Sequence, residues 1–249
     1  MRARAYPGGV GKSLTALVGV GLAAGALWWG SQADLGLDSV AALLPPDLRA
    51  EECALTTADG GSTTLEPAAA ASAMSAAVNG QAYSVAPAGA SAAVSVDIDP
   101  AVEQGVTCTL RVPRGLPAQS VTASGLTPRA EAVRQAVAEE FGTIPVGGFA
   151  PGGVTSGHGP VSKHYDGLAV DFFFRPYEDP AQQRLGWTVV NWLVAHAEQF
   201  DIEVLIYDDK IWSTNRSPQG WRQYSHPQGQ TDPINRHLDH IHMDVYPGG

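Results

Sequence analysis

The segment that most constrains the fold lies near the C-terminus. From position 240 the chain reads His-Ile-His-Met-Asp-Val, and polar and apolar residues alternate without a break. Successive side chains of a β-strand point to opposite faces. Ile241, Met243 and Val245 therefore share one face, and His240, His242 and Asp244 share the other. Such a strand needs a core against its apolar face. Its other face then presents two imidazoles about 7 Å apart along the strand. All seven histidines fall between His158 and His242, so the chemistry is expected in this part of the chain.

A second cluster runs Ser162-Lys163-His164-Tyr165-Asp166-Gly167-Leu168-Ala169-Val170-Asp171. Asp171 sits in a predicted strand, 168–174, otherwise made of Leu, Ala, Val and Phe. A carboxylate among such residues is costly to bury unless it is paired or bound to a metal. His164 lies in the loop before the strand, and Gly167 lets that loop fold back. Two neutral imidazoles and one carboxylate would leave Zn²⁺ a fourth position open to water, the pattern of a catalytic rather than a structural site.

Composition narrows the remaining possibilities. Charged residues make up 16% of the chain and hydrophobic residues 44%, which suits a globular protein with a sizeable core. The formal net charge is −10, and no basic run follows the first dozen residues. Nucleic acid is therefore not expected as a partner, because phosphate neutralisation needs clustered Lys and Arg. Arg2, Arg4 and Lys12 precede an apolar stretch over 14–29, and Asp34 and Asp38 follow it. Residues 1–32 read as a signal peptide or an uncleaved membrane anchor, which places the remainder outside the cytoplasm. In an exported protein Cys53 and Cys108 are expected to form a disulfide.

The rest of the organisation follows from breakers and periodicity. Residues 33–50 read as a tether broken by Pro45-Pro46. Residues 51–113 read as a small α+β domain of unassigned role, with a helix over 66–78 and strands over 92–98 and 106–112. Residues 114–125 form a linker rich in Pro, Gly and Ser. Thr127-Pro128 opens a helix that Gly142 ends, and Asp179-Pro180 opens a second whose face carries Leu185, Val189, Trp192 and Phe200. Strands are predicted over 203–207 and 210–213, joined at Asp208-Asp209, and over 241–246. Residues 126–249 thus read as an α+β domain, a small mainly antiparallel sheet with flanking helices. His196, Trp187, Trp192, Trp212 and Trp221 are expected in the core.

Ser162-x-His164-x-x-Gly167-x-Ala169-x-Asp171, together with His240-x-His242, resembles the motifs of a group of zinc peptidases. The group includes D-alanyl-D-alanine carboxypeptidases, murein endopeptidases and hedgehog-like domains, and the resemblance covers about residues 126–249. The run His237, His240, His242 is most similar to the murein endopeptidase version, and the tail is similar to an uncharacterised secreted subgroup. The resemblance implies that His164, Asp171 and His242 hold Zn²⁺ and that peptidoglycan stem peptides or cross-links are the substrate. Relatives place the general base either two or three residues before the last ligand, here His240 or Asp239. Alternation puts His240 on the ligand face, so His240 is favoured, with Asp239 orienting an imidazole or serving as the alternative. Ser162 and His237 are expected to line the substrate cleft. Gly148-Phe149-Ala150 stands where relatives often carry an arginine, so Arg129 or Arg134 from the preceding helix, or His158, would have to serve instead. A zinc-ordered domain that binds wall peptides or a partner without cutting is the alternative function.

Overall fold

The structure, a computed structural model, describes residues 51–85 and 94–249. The apolar stretch 14–29, the tether 33–50 and the start of the strand expected over 92–98 lie outside the described residues. No described helix is long and apolar enough to cross a membrane.

A three-stranded antiparallel sheet comes first, built from β1 (Glu52–Thr56), β2 (Ser62–Leu65) and a strand at Val106–Thr109, with β1 in the middle. Cys53 lies directly across from Cys108 in this pairing, and the two form the expected disulfide. Helix α1 (Pro67–Val78) starts with proline in its first turn, where the missing N–H leaves no bond unmade. It buries Ala70, Ala73 and Met74. A two-stranded ribbon follows, β3 (Tyr83–Val85) with β4 (Val94–Val96), and the strand at Val106–Thr109 is β5.

The larger sheet has six strands, all antiparallel to their neighbours. They are β6 (Val146–Gly147), β7 (Ala169–Phe173), β8 (Ile202–Tyr207), β9 (Lys210–Ser213), β10 (Arg222–Gln223) and β11 (His240–Val245), in the spatial order β10-β9-β8-β11-β7-β6. β11 is therefore interior, between β8 and β7. Ile241, Met243 and Val245 are fully buried on one face, as the alternation requires.

Local chemistry sets the boundaries of the flanking helices. α2 (Pro128–Phe141) is capped by Thr127, whose side chain accepts from the Ala130 N–H, and it ends at Gly142 with φ 75°. α3 (Pro180–Ala195) is capped by Asp179, whose carboxylate accepts from the Ala181 N–H at 2.9 Å. A Cβ on Gly186 would stand 2.1 Å from the Tyr207 hydroxyl, so only glycine lets α3 lie this close to β8. β8 and β9 turn through Asp208 and Asp209 at φ 48° and 58°, the left-handed pair that suits a two-residue hairpin. The helix expected to reach Phe200 stops at Ala195. Phe200 meets Trp192 from the following turn, with ring centroids 5.9 Å apart. His196 stacks on Trp192 at 3.9 Å and donates from Nδ1 to the Trp192 carbonyl, a core role.

One hydrophobic core runs across the 114–125 linker, joining Cys53, Leu55 and Met74 with Val133, Trp192 and Met243. Polar contacts follow the same path. Trp192 Nε1 donates to Ser75 Oγ at 2.9 Å, Asn191 Nδ2 donates to the carbonyls of Pro100 and Val102, and the Leu110 N–H donates to Ser217 Oγ. The small sheet and α1 thus pack against α3.

The disulfide spans a sequence separation of 55 residues. Closing such a loop in the unfolded chain is worth about 4 kcal/mol in the chain-entropy account. Replacing both cysteines by serine is expected to lower unfolding free energy by about that amount in urea titrations, and the two serine hydroxyls placed where Cys53 and Cys108 are buried add to the loss.

Candidate metal centre

Sheet register brings the two sequence clusters together. β11 lies antiparallel to β7, with His242 directly opposite Asp171 and His240 opposite Phe173. Directly paired residues project to the same face, so the His242 imidazole and the Asp171 carboxylate meet above the sheet. His164 arrives from a 3-10 turn, Lys163–Asp166, just before β7. Ser162 Oγ caps this turn by accepting from the His164 N–H at 3.3 Å, and Gly167 closes it at φ 66°. Gly148 meets the turn from the β6 side. A Cβ there would lie 2.2 Å from His164 Cε1 and 3.0 Å from Asp171 Oδ2, at a φ of 81°. Glycine is what lets the loop close over the imidazole.

Three donor atoms form a near-equilateral triangle. His164 Nε2 is 3.1 Å from His242 Nδ1, and each is 3.2 Å from Asp171 Oδ1. Ligands at about 2.0–2.1 Å from a tetrahedral ion stand roughly 3.3–3.4 Å apart, so the triangle is close to one face of such a tetrahedron. The donor set fits zinc by chemistry and by spacing. His158 stacks on the His164 ring at a centroid distance of 4.0 Å. His158, His164 and Asp171 bring one donor each within 4.8 Å of one another, a group that could hold a metal ion. The triangle closed by His242 is the tighter of the two, so His158 is the outer member. Its backbone is clamped by Tyr165, whose hydroxyl donates to the His158 carbonyl at 2.7 Å.

A second layer of charges orients the first. His242 Nε2 lies 2.9 Å from Asp244 Oδ1, which leaves Nδ1 facing the triangle. His240 Nε2 lies 3.9 Å from Asp171 Oδ1, beside the triangle rather than in it. Its Nδ1 is 2.7 Å from Asp239 Oδ1. Asp239 Oδ2 in turn accepts from Arg175, at 2.7 Å from Nε and 2.6 Å from Nη2. Arg175 lies over the Phe173 ring at 4.2 Å, and that ring tilts against His240 at 5.3 Å. An arginine, a carboxylate and an imidazole are thus held in line, ending beside the metal-type donors.

Electrostatics follow from this packing. Burial opposes the charge of Asp171, but the bonds and charges of His242 and His164 outweigh it and hold the carboxyl far below its usual range. Burial likewise opposes a proton on His242, yet Asp244 and Asp171 raise its pKa to about 10. Burial also works against the Asp239 carboxylate, and the bonds to His240 and Arg175 overcome it and keep the group below its usual range. His237 makes no ion pair with an acid among the described residues. Burial, with the charges of His240 and His242, outweighs the opposing charge of Asp171 and pushes the His237 imidazole down to about 2.

The centre lies in an open cleft of about 680 Å³, which Ser162, Arg175, Tyr224 and His237 also line. His237 holds a left-handed backbone at φ 56° and packs edge-on against Tyr224. Arg129, expected at the substrate, is elsewhere. Its Nε donates to Asp201 and its Nη1 to the Tyr246 carbonyl at 2.7 Å, and these bonds tie α2 to the chain beyond β11. Arg134 is paired with Glu131 on its own helix. The arginine that does reach the cleft is Arg175, four residues after Asp171.

Residues 122–234 match a family model described as VldE, C-terminal domain. The match covers less than half of the chain, includes His164 and Asp171, and ends before His237. No curated protein and no solved structure matches the chain.

Two outcomes follow from the geometry. Gly148→Ala drives a methyl group into the His164 ring, so the purified variant should keep its circular dichroism spectrum and lose most of its bound metal by elemental analysis. With its pKa at about 10, His242 carries a proton at neutral pH in the metal-free chain, and ligation through Nδ1 must expel it. Titration calorimetry of metal binding at pH 7, in buffers of differing ionisation enthalpy, should therefore read about one proton released per ion.

Proposed function

We propose that the chain is a zinc-dependent peptidase that hydrolyses peptidoglycan stem peptides or cross-links outside the cytoplasm. The observation that carries the proposal is the line Arg175–Asp239–His240, which ends beside the His164, Asp171, His242 triangle in an open cleft. A structural metal site needs no such arrangement. It closes on four protein ligands and has no use for a buried imidazole set next to them.

His164 Nε2, His242 Nδ1 and Asp171 would hold the ion. Zinc bound there supplies a Lewis acid and brings the pKa of a water molecule to about 7. His240 Nε2 takes the proton of the attacking water and returns it to the leaving amine. Asp239 fixes the tautomer of that imidazole by accepting from Nδ1, and it stabilises the imidazolium formed midway. Arg175 holds Asp239 in place and in its charged form. His237 stays neutral, so it offers a hydrogen-bonding group to the substrate without adding charge. Ser162 caps the turn that carries His164 and also lines the cleft, where it can meet the substrate. The Cys53–Cys108 disulfide suits an oxidising, extracytoplasmic compartment.

A non-cutting wall-binding domain is the second reading. What favours it is that Arg175, the arginine lining the cleft, already commits its Nε and Nη2 to Asp239.

Purified zinc-loaded chain should release new peptide termini from peptidoglycan, read by mass spectrometry, and chelation should abolish them. His240→Ala should lower turnover by roughly 10²–10⁴-fold, the usual worth of a general acid–base, with zinc content unchanged. Folded, zinc-bound protein that retains wall peptides and cuts none of them supports the binding domain instead.

A further inference from the structure

The cleft does not end at Tyr224. A second hollow of about 460 Å³ opens beyond it, and Tyr224, His226 and Gln230 line both. The two form one groove leading away from the metal centre.

The walls of this hollow have a distinct chemistry. Gln223, Ser225, Gln230 and Thr231 face it with amides and hydroxyls, and no Leu, Ile, Val or Met lines it. Its two formal charges cancel, because Arg236 Nε stands 3.1 Å from each Asp209 oxygen and Nη2 adds a further bond. A lone anion or a lone cation is a poor fit. A neutral ligand rich in hydrogen-bonding groups fits well.

Three backbone N–H groups around the hollow are engaged within the chain. The Tyr224 N–H donates to the Asp209 carbonyl at 2.7 Å, the Asp209 N–H to the Arg236 carbonyl at 3.1 Å, and the Gly229 N–H to the His226 carbonyl at 2.8 Å. Side chains are also available for recognition: among the described residues nothing hydrogen-bonds to the side chains of Ser225, Gln230 or Thr231. Mixed amide, hydroxyl, carboxylate and guanidinium groups beside an aromatic ring match the hydroxyls and apolar faces of a sugar.

We infer that the hollow is a second subsite and that it takes a saccharide unit. On the reading proposed above this is the sugar that carries the substrate peptide, so the groove spans the junction between glycan and peptide. Peptides still attached to glycan are then preferred over free ones.

Calorimetry on the zinc-loaded full chain carrying His240→Ala, which is made to bind without turnover, tests this directly. The two probes are a stem tetrapeptide and the same tetrapeptide carried on an N-acetylglucosaminyl-N-acetylmuramyl disaccharide. The disaccharide should tighten Kd by about tenfold, the worth of one or two well-made hydrogen bonds. The double substitution Gln223→Ala with Thr231→Ala should erase that gain and leave Kd for the bare peptide unchanged. Equal affinities, or a gain that survives the double substitution, overturn the subsite. Binding is read separately from cleavage. A saccharide gain in a chain that cuts nothing would remove the peptidase reading and keep the subsite, and binding of neither probe would remove both.

Discussion

The Asp171 carboxylate is the constraint around which the rest is arranged. It lies on β7 among Ala169, Val170, Phe172 and Phe173, and it is nearly fully buried. A lone charge in that position is prohibitively costly, so partners must be delivered to it. β11 delivers two imidazoles by lying alongside β7 in register, and the capped turn at Ser162 delivers a third. Their nitrogens surround one oxygen, at 3.2, 3.2 and 3.9 Å. A metal ion satisfies the same demand better than protons do, because it lets all the donors share one positive centre.

Division of labour among the histidines comes from what each one's second nitrogen meets. Asp244 occupies Nε2 of His242 and turns Nδ1 to the triangle. Asp239 occupies Nδ1 of His240 and leaves Nε2 beside the triangle. These acids sit on or immediately before an interior strand, and Asp239 is fixed from the far side by Arg175. Sites built on sheet strands hold such alignments more closely than sites built on loops. The small disulfide-linked sheet contributes indirectly, by packing against α3 and the shared core.

Much of this was legible in the sequence, for identifiable reasons. The period-two alternation of 240–245 fixed which side chains of β11 face the site, and the caps at Thr127 and Asp179 and the Asp208-Asp209 turn marked their boundaries. All of these are local signals. The placement of the arginines was not legible. The resemblance left Arg129 or Arg134 to stand in for a loop arginine, but Asp201 and the Tyr246 carbonyl, far away in sequence, hold Arg129 elsewhere, and Arg134 pairs with Glu131. Arg175 carries no local mark, since its role depends on β11 bringing Asp239 to the end of β7. The strand β6 was hidden in a glycine-rich stretch because only two of its residues pair. The role of Asp244 could have been read from the alternation, which already placed it on the histidine face.

X-ray absorption at the zinc edge of the loaded protein measures the centre itself. The account predicts one ion per chain with nitrogen and oxygen ligands at about 2.0–2.1 Å, imidazole scattering from two rings and no sulfur. Loss of the ion in Asp171→Ala should accompany that spectrum. A substoichiometric ion, or a shell with one imidazole or none, would contradict the assignment of His164, Asp171 and His242 as the metal-binding triad.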